Sequence, residues 1–80
     1  DVAWGENHLY LLENAVNKRG ELLASRVEVF DWEGNGLYRL HLERPATKIL
    51  VDEAGERLYA IRPALDSSRV YRYDLGRFAR

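Results

Sequence analysis

Eighty residues, 46% of them hydrophobic and 31% charged, describe one folded unit at most and not a disordered tail. Twelve basic against thirteen acidic side chains leave a formal charge of −1, which argues against a general nucleic-acid or membrane-surface binder because those need a clustered positive field. There is no cysteine, and His8 and His41 lie far apart with no further ligand at metal spacing, so neither disulfides, nor a metal, nor another cofactor is expected to hold the chain.

A chain this short buries only roughly 60% of its unfolded surface, so its stability is expected to need help from neighbouring sequence or from other copies. Its longest apolar run, Leu9-Tyr10-Leu11-Leu12, falls far below the about 20 residues of a membrane-spanning helix, and no span is expected. No signal peptide is visible. The start at Asp1 instead of methionine raises the expectation of a segment of a longer or processed precursor.

In chain order, the first expected strand covers residues 2–4 and the second 8–13, separated by the polar turn Gly5-Glu6-Asn7. The stretch from Asn14 to Ser25 is expected to be a long connection. Leu9, Leu12, Val16 and Leu22-Leu23 also fit a broken helix, but Gly20 and the polar cluster Asn14, Asn17, Lys18 and Arg19 count against it. The third strand, 26–31, alternates Val27 and Val29 with Arg26 and Glu28, and the fourth, 37–42, alternates Leu40 and Leu42 with Arg39 and His41. That is the period of a half-buried strand. Between them, Asp31-Trp32-Glu33-Gly34-Asn35-Gly36 carries the glycines that supply positive φ in a tight hairpin. Strands follow near 47–52, 57–62 and 69–73, with the turn Asp52-Glu53-Ala54-Gly55-Glu56 after the first of them and a last strand near 77–79. Short strands at such spacing predict an all-β fold.

The chain also repeats itself. His8-Leu9-Tyr10-Leu11-Leu12 matches Arg57-Leu58-Tyr59-Ala60-Ile61, and both follow a polar turn with glycine. Arg26-Val27-Glu28-Val29-Phe30-Asp31 matches Arg69-Val70-Tyr71-Arg72-Tyr73-Asp74. The spacing inside the first copy is the longer one, which places an insertion in the Asn14–Ser25 connection, where repeat proteins tolerate it.

The run from Arg26 to Gly36, followed by a strand and then by Ile49-Leu50-Val51-Asp52-Glu53 and Arg57-Leu58-Tyr59-Ala60-Ile61, resembles the bacterial TolB-like six-bladed β-propeller proteins. It is also similar to the looser NHL-type repeat, in which a V-x-V-F-D-x-x-G strand and turn precede the innermost strand of the next blade. The resemblance covers nearly all of the chain and is carried by structural residues. It implies two consecutive four-stranded antiparallel meander blades, residues 1–43, with a clipped innermost strand, and residues 44–80. The first strand of each would line a central channel and the fourth would stand at the rim. Families of this kind close at six blades, so two blades leave two apolar faces open. Either the chain is a segment of a longer propeller, or three copies close a ring as a trimer of two-blade units. The resemblance further implies export to the periplasm or cell surface.

Each candidate for chemistry has a plainer structural role beside it. Gly34-Asn35-Gly36-Leu37-Tyr38-Arg39 begins like a dinucleotide loop, but a third glycine is missing and a strand follows where a helix should meet phosphate, so a hairpin is expected. The tail from Arg69 to Arg80 interleaves four arginines with three aromatics, as single-strand nucleic-acid binders do. The expected arrangement is instead an outer strand with Val70 and Arg72 on one face and Tyr71 and Tyr73 on the other, arginine stems covering apolar surface. Asp31, Glu33, Asp52, Glu53 and Glu56 are dense enough to suggest acid–base pairs or a calcium site, yet they fall at turns and Asp31 has its repeat counterpart in Asp74, so turn capping is expected. His8 and His41 are expected at solvated positions, and no G-x-S-x-G accompanies them.

Trp4 is expected near the channel end and Trp32 over the edge of the next blade. Exposed aromatics there can take sugar rings or partner loops, with packing the plainer role. The residues expected to contact a ligand or partner are therefore Trp4, Trp32, Arg72 and Tyr73, and no residue is expected to be catalytic. The function so implied is a non-enzymatic scaffold that holds a partner protein or extended ligand through inter-blade loops, or associates with itself through open faces. A fragment of a propeller hydrolase or lyase with its active site elsewhere, and a purely structural assembly, are the alternatives.

Overall fold

The computed structural model describes residues 1–62 and 68–77. Among them the chain is all-β: seven strands form two antiparallel sheets, followed by one 3-10 turn. The first sheet contains β1 (Val2–Trp4), β2 (Leu9–Val16), β3 (Leu22–Phe30) and β4 (Gly36–Leu42), and the second contains β5 (Lys48–Asp52), β6 (Arg57–Arg62) and β7 (Arg69–Asp74). Both are meanders in chain order. The core cluster includes buried side chains of both sheets, and β1 lies beside β5.

Register explains which side chains are buried. Ala3, Tyr10, Val29 and Tyr38 stand in one cross-strand row, and Leu12, Val27 and Leu40 in the next. Side chains directly opposite one another share a face, so these rows form one apolar surface. In the second sheet Ile49, Ala60 and Tyr71 form one row and Val51, Leu58 and Tyr73 another. The two surfaces pack together, and Val27, Val29, Leu58 and Ala60 are completely buried between them. Val27, Val29 and Leu58 each contribute about 1.5–3 kcal/mol relative to exposure, and the Ala60 methyl less.

The internal repeat fixes how the sheets stack. Leu9 and Leu11 are the counterparts of Leu58 and Ala60, and Tyr10 and Leu12 those of Tyr59 and Ile61. The first sheet turns Tyr10 and Leu12 toward the second, whereas the second turns Leu58 and Ala60 toward the first. The third pair of strands agrees: Val27 points inward and its counterpart Val70 is 60% exposed on the far side. The front of one sheet therefore meets the back of the next, and the relation is one of translation and rotation, not a face-to-face two-fold.

Two expectations need correction. The Asn14–Ser25 connection is no long loop, because β2 and β3 continue through it as a hairpin closed by residues 17–21. Asn17 Oδ1 accepts the amides of Arg19 and Glu21, and Gly20 takes φ of 80°. The polar residues that read as loop instead pair across the hairpin, with Ser25 Oγ donating to Asn14 Oδ1. The second correction concerns the fourth strand of the second sheet. After Asp74 the chain turns, because Leu75 N–H donates to the Glu56 carbonyl at 2.7 Å and Asp74 Oδ1 caps Gly76 N–H. Arg77 thus belongs to the 3-10 turn Leu75–Arg77, and the second sheet has three described strands; residues 78 and 79 of the expected strand lie outside the described residues.

Ser25 is the buried polar residue that joins strand to linker. Its hydroxyl accepts Ala46 N–H at 2.9 Å, and Ala46 is fully buried in the link from β4 to β5. Ser25→Ala removes that acceptor and strands a buried amide, so urea denaturation is expected to show a loss of about 1–3 kcal/mol, against less than about 0.5 kcal/mol for alanine at the exposed Lys18.

Candidate functional site

The turns that gather at one end of the two sheets hold the most concentrated polar chemistry. Gly5–His8 joins β1 to β2, Asp31–Asn35 joins β3 to β4, Glu53–Glu56 joins β5 to β6, and the 3-10 turn follows β7. Asp31 closes its own turn by accepting the Glu33 and Asn35 amides on Oδ1 and the Asn35 side-chain amide on Oδ2. These bonds, led by those from Asn35, hold its carboxyl below the usual range. Asp52 and Asp74 cap Gly55 and Gly76 in the same manner, so the turn-capping expectation is met at all three aspartates.

Glu53 behaves differently. It leaves its own turn and reaches into the β1–β2 turn of the first sheet. Oε2 accepts the Asn7 backbone amide at 2.9 Å and the Asn7 side-chain amide at 3.2 Å, while Oε1 accepts the His8 amide at 3.1 Å and the Tyr10 hydroxyl at 3.2 Å. Two consecutive backbone N–H groups aimed at one carboxylate make a small anion seat. Gly5 keeps it open: a Cβ there would lie 1.8 Å from Glu53 Oε1.

His8 is not solvated as its sequence position suggested. Its ring is half-buried, and Nδ1 lies 3.4 Å from Glu53 Oε1 without the alignment of a hydrogen bond, so that nitrogen is buried and unbonded. Partial burial pushes the Glu53 carboxyl up, but the Asn7 amide, the Tyr10 hydroxyl and the His8 ring outweigh it and hold the group below the ordinary glutamate range. Burial, then the Glu53 charge, raises the phenols of Tyr10 and Tyr38. A cleft of about 150 Å³ opens here between Asn7, His8, Tyr10, Tyr38, Glu53 and Gly76. Four donors of the first sheet converge on this carboxylate, so it ties the β1–β2 turn to the second sheet.

The four residues expected to contact a ligand fall at three separate places. Trp4 and Trp32 are brought together, their rings stacked at 5.7 Å and 24°, with Trp32 Nε1 donating to the Glu6 carbonyl at 2.9 Å. Trp32 thus packs on its own sheet's first turn and not on the edge of the next sheet. The pair remains open, Trp4 at 68% and Trp32 at 49% exposure. Arg72 lies exposed on the far face of the second sheet, while Tyr73 points the other way into the inter-sheet packing. His41 is exposed, as its alternation suggested. Glu53 was missed as an inter-sheet residue; the usable signal was that two acidic residues stand where one carboxylate suffices to cap the turn.

Among the described residues no three His, Cys, Asp or Glu side chains come together in a way that would hold a metal ion, and no helix is long and apolar enough to cross a membrane. No protein-family model, no curated protein and no solved structure matches this chain.

Because Glu53 titrates lower in the folded chain than in the unfolded one, its contribution is full above the usual glutamate value of 4.5 and is lost as pH falls through the folded value. Urea midpoints are expected to drop more steeply below pH 4.5 in the wild type than in Glu53→Gln, which itself loses about 1.5–3 kcal/mol at pH 7. Gly5→Ala evicts the same carboxylate, so a double-mutant cycle with Glu53→Gln is expected to be strongly non-additive, the double variant being no less stable than the worse single one.

Proposed function

We propose that the two sheets are consecutive blades of a β-propeller of the TolB-like or NHL-like kind, six-bladed when complete, and that the chain is part of a non-enzymatic scaffold. Its turn-bearing end, where Trp4 and Trp32 stand exposed, holds a partner protein or an extended ligand. The observation that carries this reading is the front-to-back stacking of two repeat units in matching register. Blades of a propeller require that relation, since each covers one face of its neighbour and presents the equivalent face to the next. The Glu53 clamp adds support, because it ties the turns of adjacent sheets into one surface and spends a carboxylate on structure.

The test is to link copies of the chain in tandem. Three linked copies supply six sheets and are expected to run as a compact monomer that unfolds in one transition. Their urea midpoint should exceed that of one or two copies by about 1 M or more, given m values of about 1–3 kcal/mol/M. Equal midpoints for one and three copies, read at a concentration where the single chain is monomeric, would remove the propeller reading. Random extended peptides selected on the linked form and then challenged with its Trp32→Ala version test the binding end: binders lost with Trp32 are expected, and binders indifferent to it would move the site elsewhere.

A further inference from the structure

Stacking in matching register leaves a definite pair of surfaces unused. On the back of the first sheet, Val2, Trp4, Leu9, Leu11 and Phe30 share one face. Their counterparts in the second sheet are Ile49, Val51, Leu58, Ala60 and Tyr73, the residues that pack on the first sheet's front. On the front of the second sheet, Leu50, Tyr59, Ile61 and Val70 share a face, and their counterparts Ala3, Tyr10, Leu12 and Val27 are buried in the same contact. The open surfaces thus repeat most of an interface that the molecule already makes within itself, with two charged exceptions: Arg72 stands on the open front where the first sheet has Val29, and Glu28 on the open back where the second has Tyr71. Exposure of Trp4 at 68% and of Leu50 and Val70 at 60% is far more apolar surface than turn chemistry requires.

We infer that the front of the second sheet docks on the back of the first sheet of another copy of this chain. The contact is head-to-tail, continuing the internal stacking across the chain boundary. A two-fold contact of like faces would set Val70 against Val70 and break the register that the internal interface keeps. Head-to-tail contacts either close a ring or run on as a filament. This inference deepens the propeller reading and rests on it only for the count of six sheets, hence three chains, in the ring.

Two variants of the full chain separate the possibilities. Leu50→Glu with Val70→Glu spoils the front of the second sheet, and Val2→Lys with Trp4→Ser spoils the back of the first; all four positions are exposed, so each variant's fold should survive. Wild type is expected to sediment as a trimer of about 28 kDa, three times the 9.3 kDa chain, at micromolar concentration. Each variant alone is expected to lose the trimer, and an equimolar mixture to form a one-to-one complex, because one intact front then meets one intact back. A homodimer of either variant would establish like-face pairing and overturn the inference. A folded wild-type monomer would overturn it while leaving the tandem-copy test of the propeller untouched. A wild-type chain with the circular dichroism of an unfolded protein at every concentration would overturn it too, since assembly is then unable to complete the fold. Assembly unaffected by either pair of substitutions would place the contact on other residues and overturn it as well.

Discussion

A sheet with one apolar face cannot shield that face with its own strands, and everything else in this chain follows from how the obligation is met. The first sheet's Tyr10, Leu12, Val27 and Leu40 and the second sheet's Ile49, Leu58 and Ala60 cover one another, and the fully buried Val27, Val29 and Leu58 stand at the centre of that contact. The hydrophobic effect sets its strength but is indifferent to direction. Direction comes from the pleat, which puts Leu58 and Tyr59 on opposite faces, so the repeat register decides which side of the second sheet can meet the first. With no cysteine to cross-link the strands, this contact bears the cost of ordering the chain.

Polar residues then make the apolar contact specific. Glu53 fixes the register of the two sheets at one end by filling the Asn7 and His8 amides, and Ser25 fixes the linker at the other by holding Ala46. Neither stabilises greatly in proportion to the apolar surface. Breaking the Ser25 bond leaves the buried Ala46 amide without a partner, and breaking the Glu53 bonds releases four donors to one carboxylate at once. The same arrangement makes the His8, Tyr10 and Glu53 group a link between the two sheets.

Strand alternation was legible wherever charged and aliphatic residues strictly interleave, as in Arg26–Phe30 and Gly36–Leu42; the expected 37–42 strand agrees with β4 within one residue, whereas the expected 26–31 strand missed the first four residues of β3. The repeat was legible for the same reason. Asn14–Ser25 was illegible because the polar residues there pair across the hairpin, the exposed Asn14 with the buried Ser25, and a polar strand end mimics a loop in any reading based on hydropathy. Glu53 escaped because its partners lie more than forty residues away in sequence, beyond any local spacing rule. The stacked tryptophans were picked out singly. Their meeting depends on the order β1-β2-β3-β4, which brings the first and third turns to one end of the sheet.

β7 ends its sheet, so among the described residues one side of its backbone carries amide and carbonyl groups that no strand occupies. In the first sheet the corresponding side of β3 is taken by β4. An unoccupied strand margin is a template on which identical chains can add without limit and grow into fibrils. Here that margin carries Arg69 and Arg72, both exposed, and every incoming copy of the same segment would bring the same positive charges. Exposed positive charges on such a margin disfavour parallel in-register pairing of identical chains, which would set Arg69 against Arg69 and Arg72 against Arg72.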